Sequence, residues 1–408
     1  MNGNNGGVGT SGTSRRGVLR ASLAGGLVLG AGVRAPAVLA QTTAPVRVGM
    51  LNSFSKSGAV VGVANVNAMT LFFEQIGWQA GGRRIEFVRE DDDMNPQVGL
   101  QKLKKLVESD RVDFVCGPQL SNIAMAMVGY MKQSRAFWLC SGAGVTQLTW
   151  ERMPYMFRTS CSVWQHNAEF GGWFYKNVAK EVILTASDYT GGRDTVGEFK
   201  QSFVRNGGRV VREIYPPLNT NDFSSYLLDL KSSNVPASFS FYSGTDAIRF
   251  VKQYAEYGLR ERIKLTGSGF MVESDTLPAQ GAAALGVISS LHYADTLDNP
   301  ENRKFVADYR ARFNEYPNVT AEYGYVTAQV IAKALEATGG NTQDKDKLAA
   351  AVAALSFNAP RGPFRFDPVT HNPIMNVYIR EVAEIEGRLT NRVIATIENV
   401  RDPGTRPS

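Results

Sequence analysis

The stretch "FWLCSGAGVT", residues 137–146, indicates the fold class of this chain. Its first three residues form a short apolar run, which is typical of a buried strand. The run stops abruptly at the loop 140–144, which has only small side chains and two glycines. Such a loop indicates that another group approaches the backbone closely. The sequence therefore predicts a buried sheet with a close-approach site at the end of this strand.

Strands and helices alternate on both sides of this stretch. Predicted strands lie at 46–51, 84–88, 112–115, 137–139, 181–185, 209–214, 238–242 and 263–266. Predicted helices lie at 60–76, 96–107, 122–131, 165–177, 195–205, 223–230, 247–257, 302–313 and 321–337, and two-residue alternation follows at 375–382 and 393–397. Near-continuous apolar strands separated by helices are typical of parallel sheets covered on both faces. Because the pattern restarts after residue 160, we expect two α/β lobes of one kind.

Composition and charge narrow the class of protein. The chain has 408 residues, 43% of them hydrophobic and 20% charged, which is typical of a globular protein with room for two domains. Residues 1–40 contain four arginines and no acidic residue, so their removal lowers the formal charge from +6 to +2. A charge this small does not indicate a nucleic-acid partner. No later stretch is long and apolar enough to span a bilayer.

The first forty residues have the pattern of an export signal. The pair Arg15-Arg16 precedes a mildly apolar stretch at 21–32, and small residues follow at 37–40. This order predicts a twin-arginine signal over residues 1–40 and a periplasmic location. A transmembrane anchor is the alternative, but the apolar stretch is short and rich in glycine.

The three cysteines are Cys116, Cys140 and Cys161. An oxidising compartment permits a disulfide, but an odd number leaves at least one thiol free. Cys116 and Cys140 are predicted to end neighbouring strands. We expect all three to be unpaired small hydrophobic residues, because a core of this size needs no covalent cross-link.

The sequence has no recognisable catalytic or metal-binding motif. Its histidines, His166, His292 and His371, have no metal-ligand spacing, and nucleophile-elbow and phosphate-loop motifs are absent. The G-x-G-x-x-G at 7–12 precedes the export signal and follows no strand. The acidic run 91–95 starts like a calcium loop, but Pro96 and Lys102 stand where that loop needs glycine and glutamate. We therefore predict no enzyme activity, no cofactor and no metal.

The ends of the predicted strands indicate a binding site. Parallel sheets bind ligands at the carboxyl ends of their strands. Ser121 and Asn122 stand at a predicted helix start, where free N–H groups favour an anion. The loop that includes Ser141, Gly142 and Ala143 supplies further N–H groups. A small carboxylate would fit both segments, although Ser121 could instead be an ordinary helix N-cap.

Seven short segments in a fixed order give the chain a family resemblance. They are Ser57-Gly58, "DDDMNP" at 91–96, "GPQLS" at 117–121, Ser141-Gly142-Ala143, Leu148-Thr149, "MFRT" at 156–159, and Asp188-Tyr189 with Gly192. In these segments the chain resembles the periplasmic leucine/isoleucine/valine-binding proteins of ABC transporters, from Val46 to about Ile397.

This resemblance implies a type I periplasmic binding protein fold of two parallel-sheet lobes joined by three crossovers. Lobe 1 would comprise 44–159 and 293–372, and lobe 2 would comprise 160–292 and 373–408. The lobes would close on a small ligand, without an enzymatic step and without a cofactor. The implied partners are an ABC permease and its ATPases, and the chain itself is expected to be a monomer.

The resemblance also implies ligand contacts, and the chain departs from the family at two of them. Ser121 and the loop 142–144 would grip a carboxylate, although Gly144 replaces the expected threonine. The glutamate that grips an amino group is missing from the turn 267–270, where Gly269 stands. A buried ammonium without a carboxylate partner costs several kcal/mol. We therefore expect an acid without an amine, such as a benzoate or a hydroxycinnamate.

Several segments of the second half, such as "RFVKQYAEYGL" at 249–259, resemble aromatic-acid-binding members of the family. Phe270, Tyr189, Trp164 and Phe54 are candidates for the walls of a flat pocket. The predicted ligand-binding residues are Ser121, Asn122, Ser141, Gly142, Ala143, Tyr189, Thr245, Gly269 and Phe270.

Two alternatives remain open. In the first, Glu273 or another acid replaces the missing glutamate, and the ligand is a branched-chain or other amino acid. In the second, the chain is a sensory binding module or an unrecognised enzyme on the same fold, since fold does not fix function.

Overall fold

The computed structural model describes residues 44–405, so the predicted export signal lies outside the described residues. Its strands are β1 Val46–Asn52, β2 Gln79–Ala80, β3 Arg83–Asp91, β4 Phe114–Cys116, β5 Trp138–Cys140, β6 Met156–Arg158, β7 Glu181–Ala186, β8 Arg209–Ile214, β9 Ala237–Phe241, β10 Lys264–Ser268, β11 Ile288–Leu291, β12 Ser356–Ala359, β13 Gly362–Phe366, β14 Pro373–Ile385 and β15 Arg388–Val400. Its helices are α1 Ala59–Gln75, α2 Pro96–Lys104, α3 Ser121–Ser134, α4 Gln147–Trp150, α5 Val163–Asn177, α6 Thr190–Arg205, α7 Ser224–Ser232, α8 Gly244–Glu256, α9 Leu277–Gln280, α10 Pro300–Phe313, α11 Val319–Thr338 and α12 Lys345–Ala353.

The first sheet has six strands in the order β2-β3-β1-β4-β5-β6, all parallel except β2. Its central strand β1 is buried on both faces. Val48 and Met50 point into one apolar core, and Leu51 belongs to the core on the opposite face. A central strand that is apolar except at Arg47 and Asn52 is stable because helices cover both sides of the sheet.

The second sheet has nine strands, in the order β12-β13-β14-β11-β10-β9-β7-β8, with β15 paired to β14. Strands β7 to β11 are parallel to their neighbours, and β14 runs antiparallel to β11. The predicted α/β fold with two parallel-sheet lobes is confirmed.

The chain passes between the sheets three times. It leaves the first sheet after β6 and returns after β11 with α10, α11 and α12, of which α11 packs against α1. It then rejoins the second sheet through β14. Strands β12 and β13 lie between the lobes, because they pair with β14 while Phe364 and Phe366 pack in the first lobe's core. The boundaries of the two lobes given above stay a prediction.

The cysteines and the helices agree with two further expectations. Cys116, Cys140 and Cys161 are buried and unpaired, and the first two end the neighbouring strands β4 and β5. Among the helices of residues 44–405, none has both the length and the apolar character that crossing a membrane requires.

Candidate functional site

A cavity of about 280 Å³ lies where the carboxyl ends of the two parallel sheets face each other. Its walls come from both lobes, with Ser121 and Gly142 on one side and Tyr189, Thr245 and Phe270 on the other. A site of this size is close to the lower end of the range for small-molecule pockets, about 300 Å³. The fold thus places the cavity where open α/β sheets bind their ligands.

Three helices begin at this cavity without a capping side chain. Ser121 is the first residue of α3, Gly191 is the second residue of α6, and Gly244 is the first residue of α8. None of these three helix starts has a side-chain hydrogen bond from its N-cap residue. The first N–H groups of a helix need acceptors and carry partial positive charge. The arrangement therefore favours a small anion, although none of the described residues that line the cavity is Lys or Arg.

At the start of α11, another helix at the cavity, side chains already accept the first N–H groups. The side chain of Asn318 accepts hydrogen bonds from the N–H groups of Thr320 and Ala321. The Glu273 carboxylate accepts from the N–H of Val319 at 2.9 Å. The start of α11 is consequently occupied by groups of the protein itself, unlike those of α3, α6 and α8.

The loop after β5 has small residues because it packs against the loop after β4. A Cβ atom on Gly142 would lie 2.7 Å from the Cα of Gln119 and 2.8 Å from the carbonyl oxygen of Pro118. The N–H of Ala143 donates to that same carbonyl at 2.9 Å. The backbone that approaches Gly142 is therefore the chain's own, and this contact brings both loops to the cavity.

Five of the nine predicted ligand-binding residues line the cavity: Ser121, Gly142, Tyr189, Thr245 and Phe270. Ser121 is the first residue of α3 and not its N-cap, because Leu120 occupies the cap position. The alternative role of Ser121 as an ordinary N-cap is therefore wrong. Whether these five residues contact a ligand stays a prediction.

The other four predicted residues do not line the cavity. Asn122 is exposed, and its side-chain oxygen accepts from the N–H of Ile123. Ser141 is buried, and its carbonyl accepts from Asn65. The N–H of Ala143 donates to the carbonyl oxygen of Pro118. Gly269 packs beneath the guanidinium of Arg380, to which its carbonyl is hydrogen bonded at 3.0 Å.

Aromatic side chains form the wall on the second lobe. Phe270 contacts Phe241 edge-on with ring centroids 6.4 Å apart, and Phe241 lies 6.3 Å from Tyr189. Burial raises the pKa of the Tyr189 hydroxyl, so the group stays protonated and neutral. Phe54 packs against the core of the first lobe, and Trp164 lies outside the cavity. Two of the four aromatic candidates thus lie at the site and offer a flat apolar surface.

Glu273 lines the cavity, but the protein itself uses both of its carboxylate oxygens. One oxygen accepts from Nη1 of Arg380 at 2.9 Å, and the other accepts from Val319. Burial raises the pKa of the Glu273 carboxyl, and the charge of Arg380 opposes this rise. A ligand ammonium would have to compete with Arg380 for this carboxylate.

Asp275 is the second acidic residue at the cavity, and as a whole residue it is more exposed than Glu273. Burial of its carboxyl group nevertheless raises the pKa of that group. The Asp275 carboxylate forms no salt bridge among the described residues.

Three polar atoms at the cavity were missed by the sequence analysis. Nε2 of His166, Oγ1 of Thr195 and Oε1 of Gln119 are buried and have no hydrogen-bond partner among the described residues. Buried polar groups are almost always paired, so these three atoms are candidates for a contact with a ligand or with water. The only sequence signal was the scarcity of histidine, three in 408 residues.

A family model for periplasmic binding proteins matches residues 45–387. A Leu/Ile/Val-binding protein homolog from Brucella melitensis is 33% identical over 370 residues, which cover 88% of this chain and 94% of that protein. An ABC transporter substrate-binding protein from Sphaerobacter thermophilus has a solved structure with 34% identity and a TM-score of 0.85, over 89% of this chain and 100% of that one. The structure of a solute-binding protein of an ABC transporter from Rhodopseudomonas palustris BisB5, in complex with 3,4-dihydroxybenzoic acid, has 33% identity and a TM-score of 0.84, over 88% of this chain and 99% of that one.

Proposed function

This chain belongs to the periplasmic binding protein family as a substrate-binding protein of the ABC-transporter class, and from that premise we propose that it captures an aromatic carboxylate for import. The ligand is a benzoate or a hydroxycinnamate. The chain acts as a monomer that is exported through its twin-arginine signal and delivers the ligand to an ABC permease and its ATPases. The family consists of binding proteins, so no catalytic step is proposed.

The single observation that carries the choice of ligand is the pairing of Glu273 with Arg380. An amino-acid ligand needs an acceptor for its ammonium group, and Glu273, the buried acid that lines the described cavity, already accepts hydrogen bonds from Arg380 and Val319. A buried ammonium without such a partner is costly. An acid without an amino group avoids this cost.

Three further observations support the proposal. The uncapped starts of α3, α6 and α8 give a carboxylate N–H donors without any basic side chain. The aromatic wall of Tyr189, Phe241 and Phe270 suits a planar ring. The similar protein from Rhodopseudomonas palustris holds a dihydroxylated benzoic acid in its structure.

Binding is coupled to closure of the lobes. A ligand that touches Ser121 on the first lobe and Tyr189 or Thr245 on the second makes its full set of contacts only in the closed arrangement. Such a ligand shifts the equilibrium towards closure in proportion to its preference for that state.

The first test is a thermal-shift screen of the full chain against benzoates, hydroxycinnamates, the proteinogenic amino acids and short dicarboxylates. A ligand at one hundred times its Kd stabilises the folded protein by about 2.7 kcal/mol, which gives a clear shift in Tm. We expect aromatic acids to raise Tm and leucine to leave it unchanged. A shift with amino acids alone would contradict the proposal.

A second test locates the carboxylate with two variants of the same helix turn. Ser121→Ala removes a hydroxyl at the cavity, and we expect the Kd for the aromatic acid to rise about 10-fold or more, because a hydrogen bond to a charged group is lost. Asn122→Ala is the matched control, since Asn122 is exposed and lies outside the cavity. Equal effects of the two variants would show that the carboxylate lies elsewhere.

One observation favours a second candidate function, the binding of an amino acid. Asp275 lines the cavity and is free of any salt bridge among the described residues. If leucine or another amino acid binds, Asp275→Asn is expected to weaken that binding while leaving benzoate unaffected.

A further inference from the structure

We propose that His166 recognises a hydroxyl group on the ring of the bound acid, so that the physiological ligand is a hydroxylated aromatic acid. This inference rests on the proposed function and narrows it from aromatic carboxylates to those with a phenolic hydroxyl.

His166 is the most deeply buried titratable side chain at the cavity with a free hydrogen-bonding atom. Its side chain is only 1% exposed and lines the cavity near the start of α5. Its Nε2 atom has no hydrogen-bond partner among the described residues. Leaving such an atom unpaired is unfavourable, and a ligand is the partner that the cavity can supply.

The other ring nitrogen of His166 already has a neighbour. Nδ1 lies 3.5 Å from Sγ of Cys161, and that sulfur lies 3.2 Å from the hydroxyl of Tyr323. Burial raises the pKa of the Cys161 thiol to about 11, so the sulfur stays protonated. Nδ1 therefore belongs to a contact inside the protein, and Nε2 is the atom left for a ligand.

The imidazole of His166 is neutral, which decides the kind of group that it can recognise. Burial, with smaller effects from His292 and Arg380, lowers its pKa to about 3. A neutral imidazole offers no positive charge to a carboxylate. A phenolic hydroxyl both donates and accepts a hydrogen bond, so it pairs with Nε2 in either tautomer.

The surroundings place an aromatic ring beside this nitrogen. The His166 ring packs edge-on against Phe270, with centroids 6.0 Å apart, and both side chains line the cavity. A ligand ring stacked along Phe270 is therefore a neighbour of the imidazole. The uncapped helix starts of α3, α6 and α8 belong to other elements, so the carboxylate and the hydroxyl have separate recognition sites.

The test compares affinities by titration calorimetry of the full chain with benzoate and with 2-, 3- and 4-hydroxybenzoate. We expect at least one hydroxy isomer to bind the wild-type protein about 10- to 100-fold more tightly than benzoate, because benzoate leaves Nε2 unpaired. In His166→Phe that ratio is expected to fall to about 1.

Two control variants make the readout specific. His371→Phe alters a histidine that stacks on Phe157 outside the cavity, and it should leave the ratio unchanged. Thr195→Val removes another unpaired oxygen of the cavity wall. A hydroxyl preference that disappears in Thr195→Val but persists in His166→Phe would overturn the assignment to His166.

The remaining outcomes are also decisive. Equal affinity of the wild-type protein for benzoate and all three isomers overturns this inference and leaves the proposed function standing. Absence of binding to any aromatic acid overturns both. If His166→Phe does not fold, the test uses the affinity ratio of the wild-type protein together with the variant His166→Gln. An amide group can still pair with a hydroxyl, so we expect His166→Gln to keep part of the preference, and full loss of benzoate binding in it would contradict the inference.

Discussion

Two buried arginine–glutamate pairs differ in their relation to the cavity. Arg361 and Glu322 are fully buried and joined by two parallel hydrogen bonds of 2.7 and 2.6 Å. Arg380 and Glu273 share a single bond of 2.9 Å, and Glu273 borders the cavity. The Arg361–Glu322 pair lies within the protein core and does not line the cavity. The Arg380–Glu273 pair instead determines whether the Glu273 carboxylate at the cavity is available to a ligand.

The difference teaches that a carboxylate at a binding site is not necessarily a ligand contact. The position of Glu273 in the cavity wall would by itself indicate a contact with a ligand ammonium. Its partners Arg380 and Val319 show instead that its hydrogen-bonding capacity is directed into the protein. Variants of the two pairs, and of one buried carboxylate without an arginine, test this interpretation.

The largest effect is expected for Arg361→Met. This change leaves the Glu322 carboxylate buried without its partner, so the free energy of unfolding should fall by about 3–5 kcal/mol. Urea unfolding of both proteins measures the difference. The double variant Arg361→Met with Glu322→Leu should recover much of the loss, and a loss below about 1 kcal/mol in the single variant would contradict a tight internal pair.

A smaller loss, about 2 kcal/mol, is expected for Glu273→Gln. The amide can still accept from Val319, and Arg380 keeps the carbonyl groups of Tyr293 and Gly269 as acceptors. Removing a negative charge from the cavity wall should strengthen the binding of an aromatic acid by a few-fold. Calorimetry with benzoate and leucine checks this. If the wild-type protein binds leucine and the variant does not, Glu273 is the ammonium partner and the contrast between the two pairs fails.

The smallest effect concerns Glu198, a buried carboxylate that forms no salt bridge among the described residues. Burial, assisted by the charge of Asp194, raises its pKa to about 7. Its pKa in the unfolded chain is about 4.3. Between these values the folded protein binds the extra proton, so the contribution of Glu198 to stability falls as the pH rises from about 4.5 to about 7.

Glu198→Gln should remove this pH dependence and raise the free energy of unfolding at pH 8 by about 1 kcal/mol or somewhat more, since the carboxyl is only partly buried from solvent. Unfolding curves at pH 5 and pH 8 measure it, with little change expected at the lower pH. A variant that is equally destabilised at both values would show that the Glu198 carboxylate is needed as an anion.

The fold was predictable because most of its parallel strands are buried and rich in apolar residues. Every predicted strand, including the largely exposed β8, formed within a few residues of its predicted limits. The short strands β2, β6, β11, β12 and β13 and the helices α4, α9 and α12 were not predicted. Segments of two to five residues carry too little periodicity to separate a strand or a helical turn from a loop. In α12 the alanines around Leu348 and Val352 obscure the amphipathic pattern.

The site was predictable only in part. Helix starts and glycine-rich loops are local features, so Ser121 and Gly142 were identified from the sequence. The partner Arg380 lies 107 residues from Glu273 along the chain, so this pair has no local sequence signal. The contact that occupies the other ring nitrogen of His166 runs through Cys161 to Tyr323, which lies 162 residues from Cys161. No spacing in the sequence shows that one buried acid is occupied or that one ring nitrogen is free.

The uncapped helix starts have a consequence for the evolution of specificity. In the proposed binding mode the charge is recognised largely by main-chain N–H groups, so a single substitution such as Ser121→Ala weakens its binding without abolishing it. Residues such as Tyr189, Phe270 and His166 are then free to change and to adapt the site to acids of different shape. One backbone can in this way serve a whole series of transporters, each with its own nutrient.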